Sequence, residues 1–209
     1  MILTLASQSP RRRELLGPLA ASLGFTLRLL PPDADENAEA LEASLPTEDP
    51  QAYVRRVTDL KAEAGWYRMQ RKGFVPGPLI ASDTTVVLDN HILGKPQNAA
   101  EARQMLQALS NGSHQVLTAV TLLCPAARSE NAWSFTAHRT LSLSEVTFGH
   151  LSDDWIEKVI ASGEPMDKAG AYAIQGQAGA KIREIRGSPS GIMGLPLFET
   201  SQLLEGIRQ

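Results

Sequence analysis

Ser7-Gln8-Ser9-Pro10-Arg11-Arg12-Arg13 sets hydroxyls beside three guanidinium groups, directly after the short apolar run Ile2 to Ala6. Ser9 can cap a helix whose first position is Pro10, so the cluster falls between a strand end and a helix N-terminus. Unsatisfied backbone N–H groups, hydroxyls and guanidinium forks are donors of the right geometry for phosphate oxygens. An ordinary capped helix with solvated arginines is the alternative. Three cations at the positive end of a helix dipole are a poor choice for stability, which makes a negative ligand the more attractive explanation.

A second candidate is Asp83, within Ser82-Asp83-Thr84-Thr85 on a run rich in β-branched residues. A carboxylate there can accept a proton from water or ligate a hard cation through oxygen, although aspartate at a strand edge is often only a turn residue. Gly94-Lys95-Pro96 and Asp167-Lys168-Ala169-Gly170 each place a lysine beside a turn. Taken singly, these lysines, Lys61 and Glu36 read as solvated charges. His91, His114, His138 and His150 are scattered, without a pair at metal-ligand spacing. No Walker loop, dinucleotide fingerprint or nucleophile elbow is present, which, with the scattered histidines, disfavours dinucleotide binding and His-based nucleophilic catalysis.

The elements that must position these residues follow from periodicity. Ile2 to Ala6 reads as a strand, followed by a helix burying Leu15, Leu16, Leu19 and Leu23 and stopping near Gly24, then a strand over Phe25 to Leu30. Residues 31 to 49 are proline-rich and acidic without a period and read as a surface loop. Asp49-Pro50 opens a long helix with Tyr53, Val54, Val57, Leu60, Ala64 and Tyr67 as its expected apolar stripe. Leu79 to Leu88 reads as a strand that turns at Asp89-Asn90 and returns through Ile92-Leu93. Asn98 and Glu101 mark a helix to Leu109, strands are expected at Val116 to Leu123 and Leu141 to Phe148 with a loop from Cys124, and Ser152 caps a helix ending at Gly163. A glycine-rich stretch over 170 to 194 leads to a final helix beginning at Pro196. Strands interleaved with helices, and a tight hairpin, argue α/β with antiparallel pairs.

The composition allows this. The chain has 209 residues, 43% of them hydrophobic, enough for a sizeable core. With 20 Lys+Arg against 23 Asp+Glu its net charge is −3, so no global positive field draws it to nucleic acid or anionic lipid, and any polyanion must meet a local basic site. The single Cys124 excludes an intramolecular disulfide scaffold, and no run approaches the ~20 apolar residues of a membrane-spanning helix. A cytoplasmic protein is expected.

Read in order, Leu5-Ala6-Ser7-Gln8-Ser9-Pro10-Arg11-Arg12, Ser82-Asp83-Thr84, Leu93-Gly94-Lys95-Pro96, Ser162-Gly163-Glu164-Pro165-Met166-Asp167-Lys168-Ala169-Gly170-Ala171-Tyr172, Ile174-Gln175-Gly176 and Gly194-Leu195-Pro196 resemble the Maf family, over almost the whole length. The resemblance implies a nucleoside triphosphate pyrophosphatase forming one catalytic domain over residues 1–209, with no appended module. Its expected α/β fold, shared with inosine triphosphate pyrophosphatases, is an elongated mixed central sheet flanked by helices, with a cleft between two lobes. It further implies a homodimer. Carried over by position, Asp83 matches the proton acceptor that activates water, and Ser7, Arg11, Arg12, Lys61, Lys95 and Lys168 match positions that line the triphosphate. Asp83 and Glu36 match the positions around a divalent cation, Mg²⁺ or Mn²⁺. Arg11, Thr84 and Gln175 are similar to the subgroup acting on dTTP and UTP. Ser82 stands where Ala is common, and Pro189 where Tyr is frequent.

The expected reaction is hydrolysis between the α and β phosphates, giving a nucleoside monophosphate and pyrophosphate. The alternatives are pyrophosphatase action on another modified or purine triphosphate, and a non-hydrolysing nucleotide or nucleic-acid binder in cell-division control. The second of these has no need of Asp83 with Lys95.

Overall fold

In the computed structural model, which describes residues 1–128 and 132–207, β1 (Ile2–Leu5) is buried from Leu3 onward and leads to α1 (Pro10–Ser22). Ser9 caps α1, its Oγ accepting from the Arg12 N–H, and Pro10 takes the first helical position, where a missing N–H costs nothing. α1 ends at Leu23 and Gly24, whose φ of 75° suits glycine. β2 (Thr26–Leu29) then returns parallel to β1.

Asp49 caps α2 (Pro50–Arg71), its carboxylate accepting from the N–H groups of Gln51 and Ala52. β3 (Leu79–Leu88) and β4 (His91–Leu93) form the expected hairpin, with Asp89 and Asn90 at φ 48° and 63°. Asn98 caps α3 (Ala99–Leu109) by accepting from the Glu101 N–H, while the Glu101 carboxylate accepts from Gln97. The reciprocal half of the capping box thus falls one residue early.

β5 (Ser113–Arg128) and β6 (Trp133–Phe148) are far longer than expected, at 16 residues each. Cys124, Pro125 and Arg128, read from sequence as loop, pair with Thr136, Phe135 and Trp133 across a register shift. A bulge is where a strand tolerates proline; the rest of that expected loop, 129–131, lies outside the described residues. Ser152 caps α4 (Asp153–Ala161) as expected. The glycine-rich stretch folds through short 3₁₀ turns into β7 (Ile182–Arg186) and the single turn α5 (Pro189–Ile192), and α6 (Leu197–Gly206) closes the described chain.

The sheet order is β2-β1-β3-β5-β6-β7, with β4 alongside β3. β1 is parallel to β2 and β3, and the remaining pairs are antiparallel, so the sheet is mixed and flanked by helices as expected. Alternation along β3 divides the core. Ile80 packs with Leu3, Leu5, Leu16 and Leu204 towards α1 and α6, while Leu79 and Ala81 pack with Ala62, Trp66 and Met69 of α2. The stripe on α2 rotates accordingly. Tyr53, Val54 and Val57 are buried as expected, but the C-terminal half buries Ala62, Gly65, Trp66 and Met69, leaving Ala64 and the exposed Tyr67 to line a cleft.

One detail of the topology makes that cleft. β1 contacts β3 only at Thr4↔Leu79 and Leu5↔Ile80, and β4 joins the same edge only from Val86. Residues 81 to 85 of β3 have no partner strand on that edge among the described residues, between the C-terminal end of β1, the N-terminus of α1 and the C-terminal end of β4 at Leu93.

Candidate active site

A cavity of about 900 Å³ opens at this break, and Ser7, Arg11, Arg12, Glu36, Lys61, Asp83, Thr84, Lys95, Lys168 and Gln175 all line it. These residues come from six separate stretches of sequence, so their convergence is a property of the fold alone. Strand alternation sends neighbouring residues of β3 to opposite faces. Ser82 donates to the Gly194 carbonyl at 2.9 Å, and Thr84 bonds Thr118 at 2.9 Å, on the face of α5. Asp83 turns towards α2, where its Oδ1 accepts from Lys61 Nζ at 2.5 Å. Its Oδ2 has no partner among the described residues.

Lys61 Nζ also donates to Glu42 Oε1 at 2.7 Å, and Lys95 Nζ lies 3.7 Å from the other Glu42 oxygen. Glu42 is the residue that sequence reasoning missed. It sits at the end of a 3₁₀ turn, Ala38–Glu42, inside the stretch read as an unstructured loop. That stretch is pinned to α2: Tyr53 Oη donates to the Glu42 carbonyl at 2.9 Å, and Arg56 bonds Glu48 and the Ala43 carbonyl.

Glu36 lines the cleft, but its carboxylate is engaged by the buried Arg68 and by Arg71. The hydrogen bonds from Arg68 are the main reason its carboxyl titrates below the ordinary value. As placed, Glu36 is a poor second oxygen donor beside Asp83. Glu42 fits that position better, because both it and Asp83 contact the same Lys61 nitrogen. Desolvation alone would raise the Glu42 carboxyl, but the charges of Lys61, Lys95 and Arg12 outweigh it and hold the group ionised. The Tyr53 phenol is pushed up to about 12 by desolvation and by Asp83 and Glu42, so it remains a neutral donor.

Arg12 is fixed by donating from Nε to the Gly194 carbonyl at 2.9 Å; burial lowers its pKa, opposed by the charge of Asp83. Gly194 has φ 116°, a conformation that L side chains rarely adopt, and it is this backbone angle that calls for glycine, since a Cβ there would make only an ordinary contact with Arg12 Nε at 3.4 Å. Arg11 and Gln175 direct no side-chain hydrogen bond to any described residue. Lys168 contacts the neighbouring Asp167, whose carboxyl, raised by desolvation, is brought below its ordinary value by that lysine. The remaining lining includes the apolar Val86, Val116, Tyr172, Ile174 and Ile192, a surface suited to a flat ring.

The model of the family described as Maf-like protein matches residues 2–207. The chain belongs to the Maf family. Among relatives, the Maf protein is 53% identical over 201 residues to a dTTP/UTP pyrophosphatase of Albidiferax ferrireducens, covering 96% of this chain and 94% of the relative. It is 52% identical to a protein of the same name from Cupriavidus metallidurans, over 97% and 95% of the two chains, and 49% identical to one from Nitrosomonas europaea, over 96% and 92%. Among solved structures, a HAM1 protein from Coxiella burnetii superposes with a TM-score of 0.52 at 14% identity over 99% of both chains, and the Staphylococcus aureus Ham1 protein with 0.50, also at 14% identity and 99% coverage. This likeness establishes the shared Ham1-like fold of the Maf chain.

Proposed function

We propose that this Maf protein hydrolyses dTTP and UTP to the nucleoside monophosphate and pyrophosphate. The observation that carries the reading is the Asp83–Lys61 contact within a cleft that also holds Ser7, Arg11, Arg12, Lys95 and Lys168. Each close cation facing a phosphate contributes on the order of 4 kcal/mol of Coulomb attraction at an effective dielectric of ~20, before desolvation. Several are required for a tetra-anionic tail.

In this reaction a water oxygen bonds to the α phosphorus, the bond from that phosphorus to the oxygen bridging α and β breaks, and pyrophosphate leaves. Lys61 fixes Asp83 through Oδ1, which leaves Oδ2 to orient the water and take its proton. Arg12, held by Gly194, and Arg11 neutralise charge gathering on the phosphoryl oxygens, while Lys95 and Lys168 hold the departing pyrophosphate. Ser7, which accepts from the Ser9 N–H at 3.1 Å, can turn its hydroxyl proton to a phosphate oxygen. Asp83 and Glu42 offer the hard oxygen donors that suit Mg²⁺ or Mn²⁺, whereas Glu36 would first have to leave Arg68 and Arg71. Such a bound cation supplies further charge neutralisation and makes water more acidic.

The Gln175 amide carries both donor and acceptor, matching the imide edge of thymine and uracil, and Thr84 and Arg11 stand with it in the lining. The high identity to relatives named for these substrates supports the same choice. A reducing, cytoplasmic setting suits the single free Cys124, and the homodimer is the assembly that the family resemblance implies.

A panel of natural and modified triphosphates, with Mg²⁺ or Mn²⁺, scored for pyrophosphate against orthophosphate, tests the reading. Pyrophosphate released fastest from dTTP and UTP is the expected result. Orthophosphate as the first product contradicts attack at the α phosphorus.

A further inference from the structure

His114 is buried at 3% exposure, and nothing in the reaction above uses it. Its Nε2 lies 2.6 Å from the hydroxyl of Tyr172, and its ring stacks on Phe148 at 5.5 Å and meets Tyr172 edge-on at 5.3 Å. The third side of this aromatic box is the Phe148–Tyr172 contact at 5.0 Å. Nδ1 is buried without a hydrogen-bond partner. A bare lone pair is tolerated there better than an orphaned N–H, so the proton sits on Nε2 and donates to Tyr172. Burial holds the imidazole's pKa down to about 4, so the ring is neutral at physiological pH.

Tyr172 belongs to the segment that carries the base-facing lining, from Tyr172 through Gln175. The backbone just before it is left-handed at two successive residues, Gly170 at φ 67°, which glycine adopts freely, and Ala171 at φ 63°, where alanine is rare and strained. A Cβ on Gly170 would meet Val86 Cγ1 at 2.9 Å, so the segment is pressed against β3. The Gly170 N–H also donates to the Gly94 carbonyl at 3.0 Å, tying it to the loop of Lys95. Such a conformation persists only where its surroundings hold it. Among the described residues, the one polar tie from its side chains into the sheet at this point is Tyr172 to His114 on β5.

We propose that His114 is a positioning residue for base selection, locking Tyr172 so that the strained 170–172 turn presents Gln175 to the pyrimidine edge. The proposal rests on the reading of Gln175 as the base-selecting group. His114 acts through Tyr172 and stands apart from the phosphate chemistry at Asp83, so its loss is felt in KM and in base choice, and kcat for dTTP is kept.

The test compares His114→Phe, His114→Gln, Tyr172→Phe, the His114→Phe/Tyr172→Phe double variant and Gln175→Ala, with dTTP and dCTP as substrates and thermal unfolding as the check on folding. Phenylalanine keeps the ring packing and removes the donor; glutamine keeps a donor at a similar reach. His114→Phe is expected to raise KM for dTTP about five- to tenfold, the value of one lost hydrogen bond, with kcat within about twofold and a lower dTTP/dCTP preference. Tyr172→Phe gives the same effect, the double variant adds nothing further, and His114→Gln recovers part of the loss. Should His114→Phe not fold, Tyr172→Phe against His114→Gln decides. An unchanged KM and preference, or equal loss of kcat on both substrates, overturns the proposal. If Gln175→Ala alone lowers the preference, the substrate reading stands and the role of His114 falls; if Gln175→Ala leaves it unchanged, the reading of Gln175 falls and takes this proposal with it.

Discussion

Lys61→Met removes the amine that contacts both Asp83 and Glu42 while keeping most of the apolar stem. The two carboxylate oxygens lie 2.5 and 2.7 Å from Lys61 Nζ, so they are at most about 5 Å from each other. At that separation two negative charges repel by about 3 kcal/mol at an effective dielectric of ~20. Both groups are largely shielded from water, with side-chain exposures of 10% for Asp83 and 30% for Glu42, so solvent screening removes only part of this. The variant is expected to be about 2 kcal/mol less stable at pH 7, which for a chain of this size lowers Tm by roughly 4 to 8 °C.

The pH dependence carries the sign. In the native protein the Glu42 carboxyl is held below its unfolded value, so its contribution to stability is present above the unfolded pKa and is lost as pH falls through the folded one. Without Lys61 the Glu42 charge faces that of Asp83 with less to offset it, protonating Glu42 relieves the repulsion, and the variant's deficit should shrink as the solution is acidified through the ordinary carboxylate range. Thermal unfolding of both proteins from about pH 4 to 8 measures this. A deficit that is the same at every pH would mean that Lys61 contributes packing alone, and the reasoning about a shared cation would fail. A divalent ion added to the variant should recover part of the loss, since it can take the place of the missing charge between the two carboxylates.

Asp83→Asn should abolish pyrophosphate release from dTTP while thermal unfolding shows the fold intact, because the amide keeps the shape but cannot take the proton; near-native turnover would remove Asp83 from the mechanism. Arg68→Met should destabilise by about 3 to 5 kcal/mol, because Arg68 is 2% exposed and holds Glu36 and the Leu30 carbonyl. The Arg68 penalty should fade as pH drops through the folded Glu36 value, since that carboxyl is depressed and its stabilisation exists above the unfolded pKa. A loss under about 1 kcal/mol in urea unfolding would refute that account.

Signals written within a few residues survive into the structure almost unchanged. Ser9 before Pro10, Asp49 before Pro50, Asn98 before Glu101 and the Asp89-Asn90 turn each depend on local hydrogen bonds and backbone sterics, and each stands where expected. The strand extension over Cys124 to Arg128 was hidden because its cause is a partner some ten residues away, and proline in the run argued for a loop. The stripe on α2 was misread beyond Leu60 because periodicity cannot say that one side of a helix faces a cleft: Ala64 and Tyr67 look like core residues and line the cavity. Site residues show the same division. The resemblance implied that the cations and Asp83 line one site, and they do line one cavity, but Glu42 lies in a proline-rich stretch with no period, and only tertiary contacts with Lys61 and Lys95 distinguish it from the carboxylates around it.

Those contacts bear on the charge balance. A net charge of −3 gives the surface no general attraction for a triphosphate, and the cleft's cations are met in part by carboxylates of the chain itself: Glu42 against Lys61 and Lys95, and Asp167 against Lys168. Arg11 directs no side-chain hydrogen bond to any described residue, though its charge also acts on Asp167. On the proposed reading, a triphosphate would exchange carboxylate partners for phosphate partners at Lys95 and Lys168, and only the difference between the two sets would reach the binding free energy. The same exchange would run backwards once the bridging bond is cut, with Glu42 and Asp167 reclaiming their lysines as pyrophosphate leaves. Ground-state affinity would be limited in this way, while the charge that develops at the α phosphorus would still meet Arg12, which is fixed on the backbone of Gly194 and has no acidic side chain hydrogen-bonded to it among the described residues.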